Sequence, residues 1–157
     1  MKIHIKVIVS LLLIVGCLVC STGCTNKKSE EEIAIDYIER CSRMELPIDS
    51  KLVYLLSDEA KGFQQGNVFQ YTVFQLKNEP ADWLNENSFD NSLDENKSNK
   101  FERFFSSALS DIPERVGEID QEFLPNFEKF YYYLKTEDVY FVYLPQDLLL
   151  ITIIPND

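Results

Sequence analysis

The chain alternates between helix-like and strand-like patterns behind a long apolar start. Ile33, Tyr37 and Cys41 recur every four residues beside Ala34 and Ile38, which makes one apolar stripe. Ser29-x-x-Glu32 ahead of the stripe is a capping box, and Glu30, Glu31 and Glu32 suit the positive end of a helix dipole. Leu46-Pro47 closes the segment, so the spacing predicts a helix over about 30–43. KLVYLLS at 51–57 reads as a strand, and 58–67 as a loop holding Gly62 and Gly66. VFQYTVFQLK at 68–77 is a second strand, rich in β-branched and aromatic residues. One of its faces carries Phe69, Tyr71 and Val73, and the other Val68, Thr72, Phe74 and Leu76. Apolar groups on both faces mark a central strand or one covered by helices.

Pro80 suits a helix start, and 79–84 reads as a short helix carrying Trp83. NENSFDNSLDENKSNK at 85–100 holds only Phe89 and Leu93 as large apolar groups, and reads as a long, mobile acidic loop. Phe101, Phe104, Phe105, Ala108 and Leu109 then mark an amphipathic helix that ends before Pro113. Residues 114–125 read as loop with a short helical turn. Three runs at 127–135, 139–144 and 148–154 read as strands, with turns at Thr136-Glu137-Asp138 and Pro145-Gln146-Asp147. Such short gaps imply antiparallel hairpins. The expected order is α-β-β-α-α-β-β-β: an α+β domain with a single antiparallel sheet of about five strands and helices packed on one face.

Composition narrows the function. With 157 residues and 45% hydrophobic content, one globular domain accounts for the chain. A net charge of −11 argues against nucleic-acid binding, which draws on clustered Lys and Arg. No internal repeat is present, which excludes a solenoid or propeller.

The N-terminus carries the most specific signal. Lys2 and Lys6 precede an uncharged, mostly apolar stretch from Val7 to Cys20; small residues follow, then Cys24 and the polar Thr25, Asn26, Lys27 and Lys28. This is the three-part plan of a secretory signal, and the stretch is short of the roughly 20 apolar residues a spanning helix needs. Ser21-Thr22-Gly23-Cys24 resembles the signal of bacterial lipoproteins. Ser21 departs from the aliphatic residue usual there, and Ile14-Val15-Gly16-Cys17 is the alternative match. Cys17 would leave an unusually short apolar region and an apolar mature start, so the polar tether favours Cys24. The resemblance implies a diacylglycerol on the Cys24 sulfur, cleavage before it, and attachment to a membrane in the cell envelope. In Gram-negative members an Asp after that Cys often signals inner-membrane retention; Thr25 stands there, which would permit outer-membrane sorting where such a membrane exists, so the expected place is the outer face of the cytoplasmic membrane or an outer membrane. The expected organisation is a signal peptide at 1–23, a polar tether at 24–29 and the α+β domain at 30–157.

Cleavage before Cys24 removes His4, the sole histidine, with Lys2 and Lys6, leaving 13 basic against 26 acidic residues and a charge of −13. Without histidine, Ser-His-Asp and Cys-His mechanisms and His-containing zinc sites are unavailable. Cys41 becomes the one thiol besides the lipid-bearing one, and its place on the apolar stripe reads as packing. Asp90-x-Ser92-x-Asp94 resembles the start of a calcium loop, but Glu95 and Phe101 stand where Gly and Glu are needed. Glu118, Asp120 and Glu122 alternate as a carboxylate cluster of the kind a glycosidase would need in a cleft. Tyr131, Tyr132 and Tyr133 alternate across a strand, so one set can pack while the other meets a sugar or partner. The Gly62–Gly66 loop lacks a phosphate-cradling pattern. These residues give no catalytic constellation, metal site or cofactor site. The expectation is a membrane-tethered, non-catalytic module that binds a basic protein or an envelope component. The alternative is a carboxylate-dependent hydrolase acting on cell-wall glycans.

Overall fold

Helix α1 (Glu30–Ser42) starts where the capping box puts it. The Ser29 N–H donates to Glu32 Oε2 at 2.7 Å, and the Glu32 N–H donates to Ser29 Oγ at 3.2 Å. The helix stops at Arg43, which turns left-handed at φ 59°. Its buried line is Ala34, Tyr37, Ile38 and Ser42, so the stripe is rotated from the expected one and leaves Ile33 and Cys41 half-buried. The computed structural model describes residues 28–57, 69–110 and 117–155. The expected signal peptide, Cys17 and Cys24, most of the expected tether, Val68, the Gly62–Gly66 segment and Pro113 lie outside the described residues.

The other described elements are β1 (Lys51–Ser57), β2 (Gln70–Gln75), α2 (Ala81–Glu86), β3 (Asp90–Asn91), α3 (Glu95–Ser110), a 3-10 turn (Gln121–Phe123), β4 (Tyr132–Lys135), β5 (Tyr140–Leu144) and β6 (Leu149–Ile154). All six strands form one sheet in the order β1-β2-β6-β5-β4-β3, and every neighbouring pair is antiparallel. The α+β class and the single antiparallel sheet are as the pattern predicts. The sixth strand is β3, two residues that pair Asp90 with Tyr133 and Asn91 with Tyr132. So short an edge strand leaves no periodicity to read.

Helices pack on one face as expected: α1 and α2 bring Tyr37, Ile38 and Leu84 against Phe74, Phe141, Tyr143 and Leu150. The opposite face, which the sequence reading left bare, is covered as well. There α3 sets Phe101, Phe105 and Ala108 against Tyr71, Val73, Tyr133, Tyr140, Val142 and Ile151. The physical reason is the two-sided apolar patterning of β2, β5 and β6, whose central residues are buried on both faces. One helical layer would leave half of those side chains in water, at about 1.5–3 kcal/mol for each large aliphatic or aromatic group.

The acidic loop expected over 85–100 is not a loop. Asn85 and Glu86 end α2, Asp90 and Asn91 form β3, and Glu95 to Lys100 are the first turns of α3. Asp94 starts this helix: its Oδ1 accepts from the Lys97 N–H at 3.2 Å and its carbonyl from the Ser98 N–H at 2.9 Å. The apolar stripe begins only at Phe101, which is why periodicity places the start six residues late.

The edges of the sheet are guarded. On β1 a bulge between Leu52 and Tyr54 breaks the register with β2 and leaves Val53 exposed. The Leu52 N–H donates to Glu31 Oε1 of α1 at 2.7 Å, so a carboxylate occupies an amide a second chain would seek. The two-face packing has a direct test by chemical denaturation. Phe105→Ala costs about 3–5 kcal/mol, whereas Leu93→Ala, at a position 79% exposed, stays within about 0.5 kcal/mol.

Candidate functional site

Two connections meet beside the edge of the α1–α2 face. Between α1 and β1, Pro47-Ile48-Asp49-Ser50 forms a turn closed by the Ser50 N–H on the Pro47 carbonyl at 2.9 Å. Between β2 and α2 runs Lys77-Asn78-Glu79-Pro80. Asp49 ties them together, its Oδ2 accepting from the Lys77 and Asn78 N–H groups at 3.1 and 3.2 Å. A second tie comes from Trp83 on α2, whose indole N–H donates to the Glu45 carbonyl at 2.7 Å. Glu39 of α1 takes the Leu46 N–H at 2.9 Å and fixes the start of the connection.

Between the two tied connections lies an open groove of about 700 Å³. Glu45, Asp49, Glu79, Asp82 and Glu86 line it, against Arg43 as its one cation. Its apolar part is Ile48, fully exposed at the turn tip, with half-buried Pro47, Pro80 and Trp83. Outside its lining, Ser50 Oγ and Tyr143 Oη are buried without a hydrogen-bond partner. Tyr143 projects from β5 into the α1–α2 face and stacks on Tyr132 at 6.2 Å. Burial, reinforced by the groove carboxylate Glu79, pushes its phenol up to about 12. A second recess of about 600 Å³ is lined by Val53, Phe123, Leu124 and Leu149. It is near charge balance, since Lys129 pairs with Asp147 at 3.3 Å.

The residues singled out from the sequence do not converge on chemistry. The calcium-like oxygens have structural roles: Asp90 Oδ1 faces the Lys97 ammonium at 3.3 Å, Ser92 Oγ takes the Tyr131 N–H at 3.2 Å, and Asp94 caps α3. Glu118, Asp120 and Glu122 are exposed and lead into the 3-10 turn; the Glu118 carbonyl accepts from the Tyr54 hydroxyl at 3.0 Å. Among the described residues no carboxylate is buried. The half-buried ones are all engaged: Glu31, Glu39 and Asp49 accept backbone N–H bonds, and Glu102 accepts from the Tyr131 hydroxyl at 2.6 Å.

The tyrosine run alternates as its strand requires, but neither set faces open solvent. Tyr131 and Tyr133 pack under α3, and Tyr132 is half-buried on the other face. Burial raises the Tyr131 phenol, with its bond to Glu102 adding to the effect; burial raises Tyr133 too, with Asp90 and Asp94 contributing. The Cys41 thiol is likewise pushed up by burial and then by Asp138, which favours its protonated form. The groove itself escaped the sequence reading. Its available signal was two Pro-containing connections, Leu46-Pro47 and Glu79-Pro80, each with acids beside apolar groups.

No protein-family model, curated protein or solved structure matches this chain.

The tyrosines set a pH dependence and a pair of contrasting variants. Their folded-state values lie above the unfolded value of about 10, so their stabilising contribution is complete below that pH. It is lost as pH rises through the folded values, because the unfolded state ionises first. Urea midpoints measured from pH 7 to 11.5 therefore fall only on the alkaline side. Tyr143→Phe removes an unpartnered hydroxyl, so it equals the parent or gains up to about 1 kcal/mol. Tyr131→Phe breaks a bond to a carboxylate and loses about 1 kcal/mol or more.

Proposed function

We propose that this chain is a lipid-anchored protein of the bacterial cell envelope, whose single domain binds a partner and does not catalyse a reaction. Cys24 is the anchoring residue, with Cys17 as the alternative, and the polar residues 24–29 tether the domain to the membrane. Acyl chains contribute about 0.8 kcal/mol for each buried CH₂, so a diacylglyceryl group with a further chain holds the domain at a bilayer. No described helix is long and apolar enough to cross a membrane.

The observation that carries the binding reading is the groove: five carboxylates and one Arg around an exposed Ile48 and a half-buried Trp83. Such a surface attracts cations and offers an apolar contact at the same place. The engaged state of the half-buried carboxylates supports recognition over hydrolysis. A glycosidase acid works from a dry setting that raises its pKa, and these acids instead accept bonds that hold elements together.

The test is intact-mass analysis of the mature protein extracted from membranes. The expected product begins at Cys24, carries a diacylglyceryl thioether and partitions into the detergent phase. A start at Cys17 keeps the class and moves the anchor. A product that keeps Met1 and stays in the soluble lysate overturns the reading.

A further inference from the structure

Resting on that reading, we infer that the groove between the α1–β1 and β2–α2 connections holds a cationic peptide segment of a partner protein, with one aliphatic side chain flanked by Lys or Arg. The aliphatic group lies along Ile48 and Trp83, and the flanking cations meet Glu45, Glu79, Asp82 and Glu86.

Charge complementarity selects the occupant. Four of the five groove carboxylates are exposed and, among the described lining residues, Arg43 alone opposes them, with Lys77 next to the lining, so the net negative charge disfavours an anionic lipid, a nucleic acid or an acidic peptide. The groove's apolar part selects within the cations. A simple polycation would leave Ile48 in water, although it stands at the tip of a turn, where polar residues are the rule. A segment with one aliphatic group covers Ile48 and uses the Trp83 ring as a platform.

The walls are set in advance, because Asp49 and the Trp83 indole bind the two connections together. A preset groove orders fewer of its own groups on binding.

Trp83 is the sole tryptophan, so its emission reports on this groove alone. Full-length protein in a neutral detergent is titrated with a synthetic peptide of four Lys around a central Leu. A Gly-centred analogue and a Glu-for-Lys analogue serve as controls. The Leu peptide is expected to shift Trp83 emission saturably, with the Gly analogue weaker by about tenfold and the Glu analogue silent. Raising the salt from 50 to 300 mM weakens the Leu peptide by about tenfold. Ile48→Ser weakens it several-fold, and the triple variant Glu79→Gln, Asp82→Asn, Glu86→Gln weakens it further and flattens the salt dependence. All four positions are exposed, and circular dichroism checks that the variants fold. Trp83 emission that no peptide moves, equal binding of the Leu and Gly peptides, or unchanged binding by Ile48→Ser overturns the inference. Such a failure leaves the lipid anchor untouched, since the mass of the mature N-terminus decides that separately.

Discussion

Everything in this domain depends on three strands that are apolar on both sides. β2, β6 and β5 lie adjacent in the middle of the sheet, and residues such as Tyr71, Val73, Phe74, Phe141, Val142, Leu150 and Ile151 face alternately up and down with almost no exposure. Two helical layers follow from that patterning. The one polar pair inside these strands is Thr72 against Thr152, facing each other across the β2–β6 register and hydrogen-bonded side chain to side chain. Each hydroxyl satisfies the other, so neither carries the penalty of an unmatched buried polar group, about 1–3 kcal/mol. The pair also favours one register, because a slip of either strand by one residue would send its Thr to the opposite face and separate the two hydroxyls.

The groove is a by-product of covering that sheet. To lay α1 and α2 on the same face, the chain must leave α1, enter edge strand β1, and later leave β2 toward α2. The two exits lie side by side because β1 and β2 are antiparallel neighbours, with Lys51 opposite Gln75. Asp49 and the Trp83 indole stitch them, and acids that need solvent line the rim. The groove residues sit in loops, but the ties from Asp49 and the Trp83 indole hold those loops to each other at one end of the sheet.

What was legible in the sequence was whatever is local. The capping box of α1, the β1 and β2 runs and the three C-terminal strands each carry their own signal within a few residues. What was hidden is nonlocal or short. α3 begins with Glu-Asn-Lys-Ser-Asn-Lys, a stretch whose helical state rests on Asp94 as a cap and on the packing that starts at Phe101. β3 exists only because Tyr132 and Tyr133 lie opposite it. The second helical layer was implicit in the two-sided pattern of β2, yet the sequence could not say which helix takes which face. The groove unites residues about thirty positions apart, and no linear spacing announces that Asp49 will meet the amides of Lys77 and Asn78.

The placement of β6 has a consequence for synthesis. Leu149–Ile154 is the last described strand in chain order, yet it lies between β2 and β5. Until it leaves the ribosome, the β1–β2 hairpin and the β4–β5 hairpin have no shared neighbour and the aromatic interior cannot close. Non-local pairing of this kind folds slowly. A chain lacking Leu149–Ile154 would keep both hairpins and lose the strand that joins them.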